Sequence, residues 1–208
     1  MRELIRQLFV AALLVATGAQ AGNQLEEKMA ESVRAALHKA ITDQSAPFLA
    51  FATVGEARAW LDAMSSKLER RMPDKALRED FLVTVHYEAK RAGVDSQLVL
   101  GLIQVESAFR KYAISSAGAR GLMQVMPFWV KAIGGVDDNL FHLRTNLRFG
   151  CVILRHYIDI EKGDLYRALG RYNGSLGRPE YPNMVLAAWK QWEFNPAASG
   201  VVKTGGER

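Results

Sequence analysis

One cysteine, Cys151, excludes an internal disulfide. Set in Leu147-Arg-Phe-Gly-Cys-Val-Ile-Leu154, with no histidine pattern beside it, it reads as a small apolar helix residue and not as a nucleophile. The four histidines, His38, His86, His142 and His156, lack metal-ligand spacing, so no metal or other cofactor is expected. Long apolar runs are scarce as well. The run Leu8 to Ala16 is too short to span a membrane, and no later segment approaches that length without charges. Flanked by Arg2 and Arg6 before it and Ala19-Gln-Ala21 after it, the run has the layout of a secretory signal peptide cleaved after Ala21. No cysteine stands just behind it to carry lipid, so no stable membrane anchor is expected after cleavage. Internal repeats are absent, no segment reads as a strong strand, and Asp and Glu are missing from Ser107 through Val136.

What is present is helical periodicity on a chain of 208 residues, enough for one compact domain with extensions. Leu25, Met29, Val33, Leu37 and Ile41 predict an amphipathic helix from Gln24 to Ile41. Thr53-Val-Gly-Glu56 has capping-box spacing and opens a helix through Trp60, Leu61, Met64 and Leu68 that ends before Pro73. Further helices are predicted for Asp74 to Ala92, for an apolar stretch capped by Asp95, for a short piece from Gly121 to Met126, and from Pro127 to Gly134-Gly135. Asn146 to Ile160, Asp164 to Asn173 and Asn183 to Phe194 complete the set. The segments are 1–21 as leader, 22–75 as an N-terminal helical extension that covers the rest, 76–195 as the main domain and 196–208 as a flexible tail. Loss of the leader lowers the formal charge from +5 to +4. A mildly basic exported chain suits an anionic wall polymer, and export argues against a nucleic-acid partner.

Glu106 is the residue with the most chemical interest. Leu102 and Ile103 precede it by four and three residues in an apolar helix, so the three share a face. Partial burial without an opposite charge raises a carboxyl pKa and keeps a proton available near neutrality, as a general acid requires. From the helix alone, an exposed glutamate without a role is the commoner reading.

The residues that follow change the weighing. Glu106-Ser107 with Phe109, Ser115, Gly118-Ala119, Gly121-Leu-Met-Gln124, Met126-Pro127 and Tyr172-Asn-Gly174 resembles the catalytic domain of soluble lytic transglycosylases, relatives of goose-type lysozyme, over roughly Asp80 to Trp192. The resemblance implies a mainly α, lysozyme-like helical domain, here with an added N-terminal helical segment. It also implies cleavage of the bond between N-acetylmuramic acid and N-acetylglucosamine in peptidoglycan, leaving 1,6-anhydromuramoyl ends. By matching positions, Glu106 is the catalytic acid and then base. Ser115 contacts the muramic N-acetyl group or, on local grounds alone, caps its loop. Gln124 and Met126 face the sugar, Tyr172 orients Glu106, and Asn173 lines the same cleft.

Most glycosidases use two carboxylates. The acid-free interval after Glu106 leaves only Asp137 and Asp138 nearby, and beside Gly134-Gly135 these read as turn and cap residues. A single-carboxylate reaction is therefore expected, in which the muramic 6-hydroxyl attacks C1 within its own sugar. A hydrolase drawing a second acid from Asp137, Asp138 or elsewhere is one alternative; a catalytically vestigial wall-binding component of a secretion apparatus is another. Arg171, with Arg120 or Lys111, is a candidate for binding a lactyl or stem-peptide carboxylate. The expected partners are peptidoglycan glycan strands and, further out, secretion or cell-wall machinery; the expected location is the periplasm or the cell wall.

Overall fold

The computed structural model describes residues 24, 26, 28–42, 45–135 and 138–195. The predicted leader and tail, and Asp137, lie outside them. Among the described residues the chain forms helices α1 (Glu31–Thr42), α2 (Val54–Leu68), α3 (Lys75–Arg91), α4 (Ser96–Ser107), α5 (Pro127–Ile133), α6 (Leu143–Ile160), α7 (Leu165–Asn173) and α8 (Glu180–Gln191). The fold is mainly α among the described residues.

Local capping chemistry sets several boundaries. Thr53 accepts from the Glu56 amide, Asp74 from Leu77, Asp95 from Leu98 and Asp164 from Arg167, each satisfying a first-turn N–H that has no partner within its helix. Three expectations need correction. The first helix begins at Glu31, not Gln24; Gln24 is buried instead, its side-chain oxygen accepting from the Trp129 indole at 2.8 Å. Residues 121–124 form turns and not a short helix, because Gly121 and Gln124 both take positive φ. Helices α6 and α8 start at Leu143 and Glu180, each earlier than the expected Asn146 and Asn183.

The apolar helix α4 lies at the centre, packed against α3 and α8, while α6 bridges α3 and α7. Closeness of α4 to α8 depends on Gly101, where a β-carbon would stand 2.7 Å from the Trp189 amide nitrogen and 2.8 Å from its Cα. From α8, Tyr181, Val185, Ala188 and Trp192 are buried against this helix at i, i+4, i+7 and i+11, the stripe of a helix facing a core.

The N-terminal helices dock on this unit. Helix α1 rests on α5 and α6, and α2 on α3. Trp60, Met64 and Leu68 are fully buried, each stabilising the packing by about 1.5–3 kcal/mol. A polar seam joins the same parts. Glu88, wholly buried, accepts from Arg91, Arg144 and Arg148 at 3.1 Å each. Arg148 also donates to the Ile41 carbonyl and Arg144 to that of Ser45, so the cluster ties the α1 end to α3 and α6.

Candidate active site

Glu106 sits in the last turn of α4 and is 7% exposed. Burial pushes its carboxyl up to about 8, partly offset by a hydrogen bond from the Tyr181 hydroxyl to Oε1 at 2.5 Å. No neighbouring charge contributes to that shift. The C-terminal end of a helix also carries partial negative charge, which disfavours the carboxylate further. Oε2 is buried and has no hydrogen-bond partner. The group is thus a protonated acid at neutral pH, with one oxygen held by Tyr181 and the other buried without a partner.

Behind Glu106 the chain reverses sharply. Ala108 and Phe109 both adopt positive φ, 49° and 65°, costing on the order of 1 kcal/mol each for L-residues. The turn is held by Phe109, whose buried ring packs against Phe81 and Trp192 at centroid distances of 6.0 and 5.5 Å.

The next segment folds back on itself through bridges pairing Ile114 with Arg120 and Arg120 with Val125. Its floor is clamped by side chains from two helices. Asn146 of α6 accepts from the Met123 amide at 2.8 Å and donates to the carbonyls of Arg120 and Leu140 at 2.9 and 2.8 Å. Tyr172 of α7 donates to the Met123 carbonyl at 2.8 Å. Both backbone polar groups of Met123 are thereby fixed from outside the loop. Gly121, at φ 77°, permits this approach: a β-carbon there would meet the Leu140 carbonyl at 2.6 Å and the Asn146 side chain.

The profile of the family described as "Transglycosylase SLT domain" matches residues 84–183. Those residues belong to the transglycosylase SLT domain family. The segment contains Glu106, the clamped loop, Tyr172 and Tyr181. Among curated relatives, the chain is similar to a "Membrane-bound lytic murein transglycosylase C" of Actinobacillus pleuropneumoniae serotype 5b (strain L20), 53% identical over 132 residues that cover 59% of this chain and 32% of the relative. A protein with the same description from Haemophilus ducreyi (strain 35000HP / ATCC 700724) is 49% identical over 133 residues, with the same coverage of each chain. A third, from Glaesserella parasuis serovar 5 (strain SH0165), is 41% identical over 83 residues, 36% of this chain and 23% of the relative. The chain spans about a third or less of the length of these relatives.

Within the SLT domain, several residues singled out in the sequence take places other than those expected. Tyr172 does not hydrogen-bond Glu106; Tyr181 makes that bond, and Tyr172 holds the Met123 carbonyl. Gln124 is 2% exposed and turned inward, its amide donating to the carbonyls of Gly121 and Ala113 at 2.8 and 3.2 Å, so it secures the loop. The Ser115 hydroxyl accepts from the Ala119 amide at 3.1 Å, the loop-capping role. Met126 is half-buried at the N-cap of α5. Asn173 is 8% exposed, donates to Ser175, and keeps Oδ1 buried without a partner. Arg171 is engaged by Glu161 at 2.7 Å and is not poised for a ligand carboxylate. Asp138 accepts from the Gly135 amide at 2.7 Å, a turn-capping bond.

Tyr181 is the residue that the sequence reading passed over, and Asn146, read there as a helix start with a weaker claim to the cleft, has a larger part than expected. The buried stripe on α8 carried a signal for the first. For the second there was only its place at the start of a helix. Among the described residues no cluster of three or more His, Cys, Asp or Glu could hold a metal ion, and no helix is long and apolar enough to cross a membrane.

Proposed function

We propose that this protein is a lytic transglycosylase that cleaves the bond between N-acetylmuramic acid and N-acetylglucosamine in peptidoglycan and leaves 1,6-anhydromuramoyl ends. The observation that carries this is Glu106: a lone carboxyl, neutral at pH 7 through burial, acted on by no neighbouring charge, with Oε2 unpartnered. A reaction needing a second carboxylate has little to draw on beside it.

In the proposed sequence Glu106 donates its proton to the glycosidic oxygen as the C1–O bond breaks. Positive charge at C1 is met by the substrate's own acetamido group and by dipoles of the surrounding loop. Glu106, now a carboxylate steadied by the Tyr181 hydroxyl, takes the proton of the muramic 6-hydroxyl while its oxygen bonds to C1. No water is consumed, and the acid is regenerated. Holding both reacting groups in one sugar supplies the proximity advantage that an ordered water would otherwise need. Asn173 is the proposed substrate contact, while Ser115, Gln124 and Tyr172 hold the loop that follows Glu106 and Met126 flanks it.

The relatives' descriptions as membrane-bound murein transglycosylases and the leader layout of Met1 to Ala21 support action in the cell envelope, on the periplasmic side, with the wall and its machinery as partners. Segments 22–75 and 76–195 serve as docked extension and catalytic domain, and 196–208 as tail. Mass spectrometry of digested sacculi tests the activity. Products from the wild type should carry anhydro ends, lighter by one water than reducing ends, and Glu106→Gln should yield none. Reducing ends would make the protein a hydrolase instead.

A further inference from the structure

Away from the cleft, the N-terminal extension reaches two parts of the molecule that adjoin Glu106. The Lys67 ammonium of α2 donates to the carbonyls of Gln191 and Glu193 at 3.0 and 2.8 Å. Both lie at or just past the C-terminal end of α8, where carbonyls lack partners within the helix and partial negative charge favours a cation. That end of α8 is fastened to α4 two residues before Glu106. The Gln104 side chain donates to the Gln191 side chain at 3.1 Å and accepts from the Trp192 indole at 3.0 Å. Lys67 therefore caps one end of the helix whose other end carries Tyr181 to Glu106.

Arg71, three residues beyond α2, reaches the chain on the other side of the acid. Its guanidinium lies 5.7 Å from the centre of the Phe109 ring, within the range of a cation–π contact. Phe109 belongs to the positive-φ turn behind Glu106, and Arg71 adds a third wall to those made by Phe81 and Trp192. The backbone presenting Arg71 is itself fixed. The amides of Arg71 and Met72 donate to the Leu68 carbonyl at 2.9 and 3.0 Å. The buried Arg78 of α3 donates to the Met72 and Pro73 carbonyls at 2.6 and 3.0 Å. Packing of α2 through Trp60, Met64 and Leu68 calls for neither cation, and both stand outside the residues 84–183 that match the family profile.

We propose that Lys67 and Arg71 are positioning residues for the catalytic acid, so that the N-terminal extension sets the place of Glu106 as well as covering the domain. This rests on the reading of Glu106 as that acid and goes beyond it by giving the reaction a requirement on residues ahead of the SLT domain. Lys67 acts through α8 and Gln104, and Arg71 through Phe109. Without them the end of α8 and the turn behind Glu106 loosen, water reaches the carboxyl, and it ionises more readily. Burial and the Tyr181 hydroxyl govern the titration of Glu106, and neither cation acts on it directly. Tyr172 and Tyr181, which sense its charge, are held well above their ordinary range and stay neutral. A moved titration therefore reports altered placement and not a lost charge.

Lys67→Met with Arg71→Met removes both cationic heads and keeps apolar stems. The Glu106 carboxyl is followed by carbon-13 NMR of protein labelled in its glutamate side chains, with the signal assigned by its absence from Glu106→Gln. In the methionine variant its midpoint should fall by about one pH unit. On soluble glycan strands kcat should fall about tenfold, with KM changed less than about twofold. Lys67→Arg with Arg71→Lys should keep the wild-type midpoint, and so should Arg58→Met, which removes only an exposed ion pair within α2. An unmoved midpoint in the methionine variant overturns the proposal even where kcat falls, because a smaller folded fraction lowers activity without changing the titration of the molecules that stay folded. An equal shift in Arg58→Met overturns it as well. Product analysis of the wild type is independent: a shifted midpoint without anhydro ends would leave the placement of Glu106 by the extension standing and sink its catalytic assignment, whereas anhydro ends with an unmoved midpoint would do the reverse.

Discussion

Replacing Glu106 by glutamine should stabilise the protein at alkaline pH while leaving it unchanged in acid. In the folded chain the carboxyl titrates at about 8, against an ordinary value of 4.5. Below 4.5 both folded and unfolded chains hold the proton, and burial of the neutral acid carries no ionic penalty. Between the two values only the folded chain holds it, so wild-type stability falls by about 1.4 kcal/mol for each pH unit. Summed across that window the loss is on the order of 5 kcal/mol, a large share of the 5–15 kcal/mol typical of a domain. Glutamine keeps an oxygen to accept the Tyr181 hydroxyl and cannot ionise. Urea unfolding of both proteins at pH 4, 7 and 9 gives the difference directly from midpoint and slope. His86, which burial lowers to about 4, destabilises both proteins equally as pH falls from 6.5 and cancels in the comparison. A difference that is the same at every pH would refute the reasoning, because Glu106 would then titrate alike in the folded and unfolded chains.

The remaining predictions concern the parts that hold this acid. Tyr181→Phe removes the bond that favours the carboxylate, so the alkaline limb of the pH–rate profile should move above its wild-type position and the rate should fall about tenfold or more; an unmoved limb would count against Tyr181. Gly101→Ala forces α8 off α4 through backbone contacts at 2.7 and 2.8 Å, with an expected loss of about 1–3 kcal/mol in denaturant unfolding and a parallel shift of the same alkaline limb. Glu88→Gln leaves three guanidinium groups around a neutral amide, and chemical denaturation should show a loss of about 3–5 kcal/mol; a loss below about 1 kcal/mol would mean that the cluster is solvated.

Much of the helical frame was legible because its signals are local. A side-chain oxygen at Thr53, Asp74, Asp95 or Asp164 meets an amide three residues ahead, and such a bond depends on nothing farther along the chain. The face that Glu106 shares with Leu102 and Ile103 was legible in the same way, but its burial was not, since the helix alone suited an exposed glutamate as well. The turns at 121–124 were not, since Gly121 and Gln124 take positive φ to satisfy contacts with Ala113, Leu140 and Asn146, residues distant in sequence.

The choice between two tyrosines marks the boundary most clearly. Tyr172 and Tyr181 are nine residues apart, and each is buried with a hydroxyl that needs an acceptor. The sequence by itself determined that a carboxyl would share a helix face with apolar residues and have no second acid close behind it in the chain. Which hydroxyl reaches that carboxyl was decided only by the tertiary structure. The close crossing of α4 and α8 at Gly101 brings Tyr181 to Oε1, while α7 delivers Tyr172 to the Met123 carbonyl. A hydrogen bond requires its partners within about 3 Å, and that proximity comes from long-range packing, which local sequence pattern does not encode.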